Sequence, residues 1–164
     1  MADFEPAIDF VLEHEDPGLT GAVTVDDGGV TRWGISAAAY PQLDIATLSL
    51  DDAKSIYQRD YWEPLRLGEI ADQPVATKAL DMAVNMGVGT ASRLLQQACI
   101  VLGHAIRVDG IVGPATLAAA DGCNGAALLA ELRLQSRDRY LAIIQSDPER
   151  YGRYAHNWLA RAGA

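Results

Sequence analysis

Apolar residues recur at helical spacing along most of this chain. In the first such segment, Phe4, Ile8 and Leu12 fall on one face of a predicted helix, and Asp3 stands where a capping residue is expected. The pattern ends at Glu15, shortly before a Pro-Gly pair that disfavours helix. We therefore predict a first helix that ends at Glu15.

The same periodicity, combined with capping and stop residues, predicts six further helices in the rest of the chain. Ser49 with Asp52 resembles a capping box, and Thr90 is interpreted as the cap of another helix. The predicted helices extend from Ser49 to about Tyr61, from Asp72 to Gly87, from Thr90 to Gly103, from Pro114 to Gly122, over about 125–145, and from Asp147 onward.

Residues 19–36 follow a different pattern. Val23 and Val25 alternate with Ala and Thr, and the turn signal Asp-Asp-Gly-Gly at 26–29 separates them from a second short segment at 30–33. This predicts one β-hairpin near the N-terminus. The fold class we expect is therefore mainly α, a helical bundle with one small hairpin.

A chain of 164 residues suits one hydrophobic core, and no internal repeat or low-complexity linker divides it. The glycine-rich stretch 103–114 is the best candidate for an internal boundary. It would separate a lobe at 1–102 from a helical region at 103–164 packed on it, and the alternative is one compact domain.

The formal net charge of −9 argues against a nucleic-acid partner and against docking to anionic lipid. A substrate would be recognised mainly by hydrogen bonds and stacking, unless a local basic patch exists. His14, His104 and His156 have no partner at metal-ligand spacing, and neither do Cys99 and Cys123. We therefore expect no metal, no cofactor and reduced cysteines.

The N-terminal segment lacks the basic and apolar regions of a secretory signal, and no stretch of about 18 uncharged apolar residues could span a membrane. We expect a protein made in the cytoplasm. A substrate outside the inner membrane would then require a separate partner for release.

Glu15 continues the apolar face of the first helix, so its side chain should point toward the protein interior. A carboxyl group next to apolar packing loses hydration, which favours the protonated form that a general acid needs. The alternative is an exposed glutamate at a frayed helix end.

The hairpin supplies possible partners for Glu15. Glycoside hydrolysis usually needs a protonated carboxyl and a second carboxylate on either side of the scissile bond. Asp26 and Asp27 lie in the predicted turn and Thr31 follows on the second strand, although the same residues also form a common turn sequence.

Residues 11–15 and 25–36 together resemble the N-terminal signature of glycoside hydrolase family 108, the N-acetylmuramidases of phage-endolysin and secretion-activator type. In this resemblance Glu15 takes the place of the catalytic glutamate, Asp26 of the aspartate and Thr31 of the threonine. The sequence departs from the family pattern after the glutamate, where Asp-Pro replaces Gly-Gly, and at Asp27 and Ser36, which replace a proline and a threonine.

The resemblance continues through nearly the whole chain. Residues 53–62 are similar to a family helix that ends in Tyr-Trp, and residues 80–87 to one that ends in Asn-x-Gly. Residues 95–96 and 108–116 resemble a peptidoglycan-binding region with its Asp-Gly-x-x-Gly-x-x-Thr motif, and residues 157–161 resemble a terminal Trp-x-x-Arg. The implied fold is lysozyme-like.

The family resemblance also implies roles. Glu15 would protonate the glycosidic oxygen between N-acetylmuramic acid and N-acetylglucosamine, Asp26 would stabilise the anomeric carbon or activate water, and Thr31 would position that water. A carboxyl separation of about 5–5.5 Å would favour retention and about 6.5–9.5 Å inversion.

Three further residues are candidates for substrate binding. Tyr61 and Trp62 either stack on sugars or are core aromatics at a helix end. Asn85 either bonds an N-acetyl group or bonds local backbone.

The resulting hypothesis is an endolysin-type lysozyme. It would be a monomer that acts on peptidoglycan strands in the periplasm after a holin-like membrane partner releases it. The alternatives are a muramidase that serves protein secretion and a peptidoglycan-binding module without catalysis.

Overall fold

The computed structural model describes residues 1–26 and 29–164, without the side chain of Asp26. The described part is mainly helical, with one small antiparallel sheet near the N-terminus, and this confirms the expected fold class. Its helices are α1 (Phe4–Glu15), α2 (Leu50–Tyr57), α3 (Gln73–Met86), α4 (Val88–Val101), α5 (Pro114–Gly122), α6 (Gly125–Ser146), α7 (Pro148–Tyr151) and α8 (Ala155–Gly163), and its strands are β1 (Thr24–Asp26), β2 (Gly29–Arg32) and β3 (Ile35–Ser36).

Helix α1 begins and ends where the sequence predicts. The Asp3 side chain caps it by accepting a hydrogen bond from the Glu5 backbone N–H, and the Asp16 N–H closes its last turn on the Leu12 carbonyl. On its apolar face Ala7, Ile8, Val11 and Leu12 are fully buried, and the helix packs against α3. Burial of this face therefore fixes the direction in which Glu15 leaves the helix.

The hairpin is confirmed, and a third strand extends it. Strand β1 pairs antiparallel with β2, with Val25 opposite Val30, and β2 pairs antiparallel with β3. Trp33 and Gly34 form the two-residue turn between β2 and β3, both at positive φ (53° and 75°). That geometry matches the twist of paired strands, but a tryptophan seldom adopts it, which is why the sequence did not indicate this turn.

Helix α3 lies at the centre of the molecule and packs against α1, α4 and α6. Its cap at Asp72 and its stop at Gly87 agree with the sequence prediction. The predicted cap at Thr90 is wrong, because α4 already begins at Val88 and Gly87, at φ +86°, makes the bend between the helices.

Two other predicted helices are interrupted. The segment from Ser49 to about Tyr61 changes after α2 into a wider π-helical turn at Gln58–Trp62. The segment after Asp147 is divided into α7, a 3₁₀ turn at Gly152–Tyr154, and α8. None of the helices in the described ranges is both long and apolar enough to cross a membrane.

Candidate active site

Glu15 is held in place at the end of α1 by a cation from the other end of the chain. Its Oε1 lies 2.7 Å from Nη1 of Arg161, and its side chain is 22% exposed. The carboxylate is therefore partly buried and fixed by an ion pair, which excludes the alternative of a frayed, solvated glutamate.

Arg161 belongs to a buried chain of charges. Its Nε donates to Oδ1 of Asp81 at 2.6 Å, and Lys78 Nζ donates to the other oxygen of Asp81 at 3.1 Å. Lys78 also donates to the backbone carbonyl of Arg161 at 2.7 Å, which ties α8 to α3. Two carboxylates thus face one guanidinium and one ammonium.

The charge chain keeps its arginine cationic. Burial lowers the pKa of Arg161, but Asp81 and Glu15 outweigh this effect and leave the pKa above its ordinary value. Burial also lowers the pKa of Lys78, and the neighbouring Asp81 offsets only part of that shift. Arg161 therefore remains a fixed positive charge beside Glu15.

Asn85 completes the support of Arg161. In the amide orientation that gives both side-chain atoms a hydrogen-bond partner, Oδ1 accepts from Arg161 Nη1 at 2.8 Å. In the same orientation, Nδ2 donates to the hydroxyl of Tyr140 at 3.1 Å. Neither alternative drawn from the sequence anticipated this arrangement. Asn85 positions the guanidinium that holds Glu15, and it also lines the cleft in front of it.

The cleft around Glu15 has a volume of about 570 Å³ and is formed by both ends of the chain. Helix α1 and the following loop form one wall, and the C-terminal residues form the other. Its lining comprises Glu13, His14, Glu15, Pro17, Asn85, Tyr154, Asn157, Trp158, Ala160 and Arg161. A cleft of this size, with a fixed carboxylate and several polar groups, suits an elongated polar ligand.

Two aromatic residues of this cleft were missed by sequence reasoning. Tyr154 stacks on Trp158 with centroids 5.4 Å apart, and Trp158 stacks in turn on Tyr140. The sequence indicated only that residues 157–161 resemble a terminal Trp-x-x-Arg. Helical spacing could not reveal that these rings lie beside Glu15, because their neighbours in the cleft are distant in sequence.

The turn between β2 and β3 packs directly on the end of α1. A Cβ at Gly34 would lie 3.0 Å from the Cβ of Glu15 and would collide with the hydroxyl of Tyr57. That hydroxyl donates to the Trp33 carbonyl at 3.0 Å. Gly34 is therefore required both for the backbone conformation and for the close approach to Glu15.

Gly34→Ala should lower the free energy of unfolding by about 1–3 kcal/mol, because it adds backbone strain and displaces the contact with Glu15. Urea unfolding measures this change. Gly152→Ala is the matched control, since Gly152 has helical φ and open space around its Cα. Equal effects of the two substitutions would contradict the packing described for Gly34.

Of the hairpin residues predicted to act with Glu15, the structure describes Thr31 and the backbone of Asp26. Thr31 is half-buried in β2 opposite Thr24 and Ser36, and it is not among the described residues that line the cleft. The backbone of Asp26 pairs with Gly29 in the sheet. The side chain of Asp26, and all of Asp27, lie outside the described residues.

Asp16, where the sequence departs from the family pattern, organises the loop after α1. Its carboxylate accepts from the Thr20 hydroxyl at 2.7 Å and from the Gly21 N–H at 2.6 Å. Burial raises the pKa of Asp16, but these hydrogen bonds outweigh it and the pKa lies below its ordinary value. Asp16 therefore stabilises the loop that follows α1.

Tyr61 and Trp62 lie at the end of the π-helical turn. Trp62 is 6% exposed and packs edge-on against Phe4, with centroids 5.5 Å apart. Tyr61 is partly buried against Tyr57. The position of Trp62 agrees with the alternative of a core aromatic residue. Neither Tyr61 nor Trp62 is among the described residues that line the cleft.

In the described part of the chain, no three His, Cys, Asp or Glu side chains lie close enough together to hold a metal ion. Cys99 is a buried free thiol and Cys123 a half-buried one.

Comparison with known proteins identifies both halves of the chain. Residues 8–87 match the family described as glycosyl hydrolase 108, and residues 90–163 match a family described as predicted peptidoglycan domain. None of the curated protein sequences matches this chain. The two matched ranges meet between residues 87 and 90. The division into 1–102 and 103–164, or one compact domain, stays a prediction.

Among solved structures, the one described as "Structure of Brucella abortus SagA" is similar, with a TM-score of 0.65 and 23% identity over 98% of this chain and 96% of that chain. This likeness confirms the mainly α, lysozyme-like fold. The chain therefore combines a glycoside hydrolase domain of family 108, a family that acts on peptidoglycan, with a C-terminal domain of the predicted peptidoglycan type.

Proposed function

We propose that this protein is an endolysin-type lysozyme that hydrolyses the β-1,4 bond between N-acetylmuramic acid and N-acetylglucosamine. The observation that carries the proposal is the Glu15 carboxylate, fixed by Arg161 at one wall of a 570 Å³ cleft. The stacked rings of Tyr154 and Trp158 beside it suit the apolar faces of sugar rings.

In the proposed reaction Glu15 donates a proton to the glycosidic oxygen as the bond to the anomeric carbon breaks. Proton transfer leaves Glu15 as a carboxylate, and the adjacent guanidinium of Arg161 stabilises that product charge. Glu15 must first acquire the proton that it donates.

We assign the second role to the hairpin. Asp26 is proposed to stabilise positive charge at the anomeric carbon or to activate a water molecule, and Thr31 to orient that water. The close packing of Gly34 on Glu15 supports this assignment, because it holds the β2–β3 turn against the end of α1.

The products of purified protein acting on isolated peptidoglycan test the proposal. Muramidase action should release fragments with N-acetylmuramic acid at the reducing end and should clear permeabilised Gram-negative cells. Endolysin-type action in the periplasm, dependent on a membrane-permeabilising partner, also predicts that intact cells are spared when protein is added from outside.

Three outcomes would contradict the proposed reaction. Fragments ending in anhydro-muramic acid would indicate a lytic transglycosylase, which needs no water. New free amino groups would indicate cleavage of a peptide or amide bond. Binding without any bond cleavage would indicate a non-catalytic peptidoglycan-binding module.

A further inference from the structure

A second cavity, of about 460 Å³, lies between α4 and α6 and shares no residue with the lining of the Glu15 cleft. We name it the α4–α6 groove. All of its lining residues fall within residues 90–163, the region that matches the predicted peptidoglycan domain. Its polar lining comprises Thr90, Arg93, Gln97, Gln135, Asp138 and Arg139.

The α4–α6 groove carries positive charge that the protein itself does not neutralise. Within the described ranges, neither Arg93 nor Arg139 forms an ion pair, although the chain as a whole carries a net charge of −9. The carboxylate of the groove, Asp138, already pairs with Arg137 at 3.2 Å. Two guanidinium groups are thus available to bind carboxylates, which they match in geometry.

The position of Arg93 is built into the fold. Its guanidinium lies against Gly110, where a Cβ would approach the Arg93 Cζ to 2.8 Å, and Gly110 adopts a φ of +81°. The N–H of Gly110 donates to Oε1 of the buried Gln96 at 2.9 Å. A Cβ at position 110 would strain the backbone at this φ and would push the flexible end of Arg93 away from its place beside the loop.

Gln96 in turn organises the loop that bears Gly110. Its Nε2 donates to Oδ1 of Asp109 at 2.8 Å and to the Thr116 hydroxyl at 3.2 Å. The Asp-Gly-x-x-Gly-x-x-Thr motif noted in the sequence therefore stabilises its own loop. The Arg93 guanidinium, which packs against Gly110 of this motif, lines the groove.

The groove also offers groups suited to amides. Oε1 of Gln135, on α6, is buried and has no hydrogen-bond donor in the described part of the chain, whereas Gln97 on α4 is exposed. No aromatic side chain is among the described residues that line it, in contrast to the cleft with Tyr154 and Trp158. This chemistry fits a peptide with free carboxylates better than a sugar face.

We propose that the α4–α6 groove binds the stem peptide of peptidoglycan, with its free carboxylates on Arg93 and Arg139 and its amides on Gln97 and Gln135. The free carboxylates of peptidoglycan belong to the stem peptide, because the lactyl group of muramic acid is amidated by that peptide. This inference rests on peptidoglycan being the substrate, as proposed above.

The groove adjoins elements of the cleft, so one substrate can reach both. Asn85 lines the cleft near the end of α3, and Thr90 lines the groove in the first turn of α4. On α6, Tyr140 bonds Asn85 while the preceding residue, Arg139, lines the groove. The two cavities thus share the end of α3, the start of α4 and α6 as supporting elements.

The test compares two substrates: intact sacculi and glycan strands from which an amidase has removed the stem peptides. The double variant Arg93→Gln/Arg139→Gln should lose about tenfold or more in kcat/KM on sacculi, since two charge-assisted contacts are removed. Its kcat/KM on the stripped strands should stay within about twofold of wild type. The control Arg59→Gln/Arg66→Gln removes two exposed charges from the other half of the chain.

Gly110→Ala provides a second variant, because it displaces Arg93 without changing any charge. It should reproduce the selective loss on sacculi, and circular dichroism should show a folded protein. An equal loss on both substrates, or no loss on either, would overturn the proposal. So would the same selective loss in the Arg59→Gln/Arg66→Gln control.

A binding measurement tests the stem-peptide site independently of the proposed catalysis. Calorimetry of the full-length protein with a stem tripeptide ending in diaminopimelate should show binding to wild type and at least tenfold weaker binding to Arg93→Gln/Arg139→Gln. If wild type cleaves neither substrate, the proposed reaction fails, and this titration alone decides the groove. Equal binding of the tripeptide to both proteins, or to neither, would overturn the stem-peptide site.

Discussion

Glu15→Gln should reduce the rate of peptidoglycan hydrolysis by about 10²-fold or more, because glutamine cannot donate a proton to the leaving oxygen. The substitution is nearly isosteric, and the amide oxygen can still accept a hydrogen bond from Arg161. The fold should therefore persist. Release of reducing ends from sacculi measures the rate, and circular dichroism checks the fold.

Asp9→Asn is the matched control for Glu15→Gln. Asp9 lies on the same helix, and its carboxylate is exposed and paired with Lys54 at 2.9 Å. The control should retain wild-type activity within about twofold, since an exposed ion pair contributes about 0–1 kcal/mol. Full activity of Glu15→Gln, or equal loss in both variants, would show that Glu15 is not the general acid.

Asp81→Asn should lower the free energy of unfolding by about 3–5 kcal/mol. Asp81 is 1% exposed and is the carboxylate that lies between Arg161 and Lys78. Its removal leaves two buried cations near each other with only the partly exposed Glu15 to balance them. Denaturant unfolding at neutral pH measures the loss, and hydrolysis should fall as Arg161 shifts away from Glu15.

Glu69→Gln is the corresponding surface control. Glu69 pairs with Arg66 at 2.7 Å, but both side chains are substantially exposed. This variant should change the free energy of unfolding by less than about 1 kcal/mol. A change below about 1 kcal/mol in Asp81→Asn as well would mean that the buried charge chain does not hold α8 to α3.

Local features of the sequence predicted much of the fold. The cap at Asp3, the box at Ser49 and the stop at Gly87 each act through hydrogen bonds to residues only a few positions away. The same local reasoning placed Glu15 at a helix end and correctly oriented it toward the protein. Such features are accessible because helix periodicity and capping depend on neighbouring residues.

The parts of the site that escaped prediction depend on distant residues. Glu15 and Arg161 are 146 positions apart, and no pattern within the sequence relates them. Asn85 likewise reaches Arg161 and Tyr140 through packing of α3, α6 and α8. The turn at Trp33 was missed because a tryptophan at positive φ contradicts its usual preference.

The pairing of Glu15 with Arg161 makes the two regions of this chain mutually dependent. Glu15 of the hydrolase region forms an ion pair with Arg161 of the C-terminal region, so replacing the C-terminal region removes the partner of Glu15. Any recombinant that joins a foreign C-terminal region at residues 88–89 must also recreate the contacts of Arg161 with Glu15, Asp81 and Lys78. Replacement of the C-terminal region is therefore constrained by the four charged side chains of Glu15, Lys78, Asp81 and Arg161.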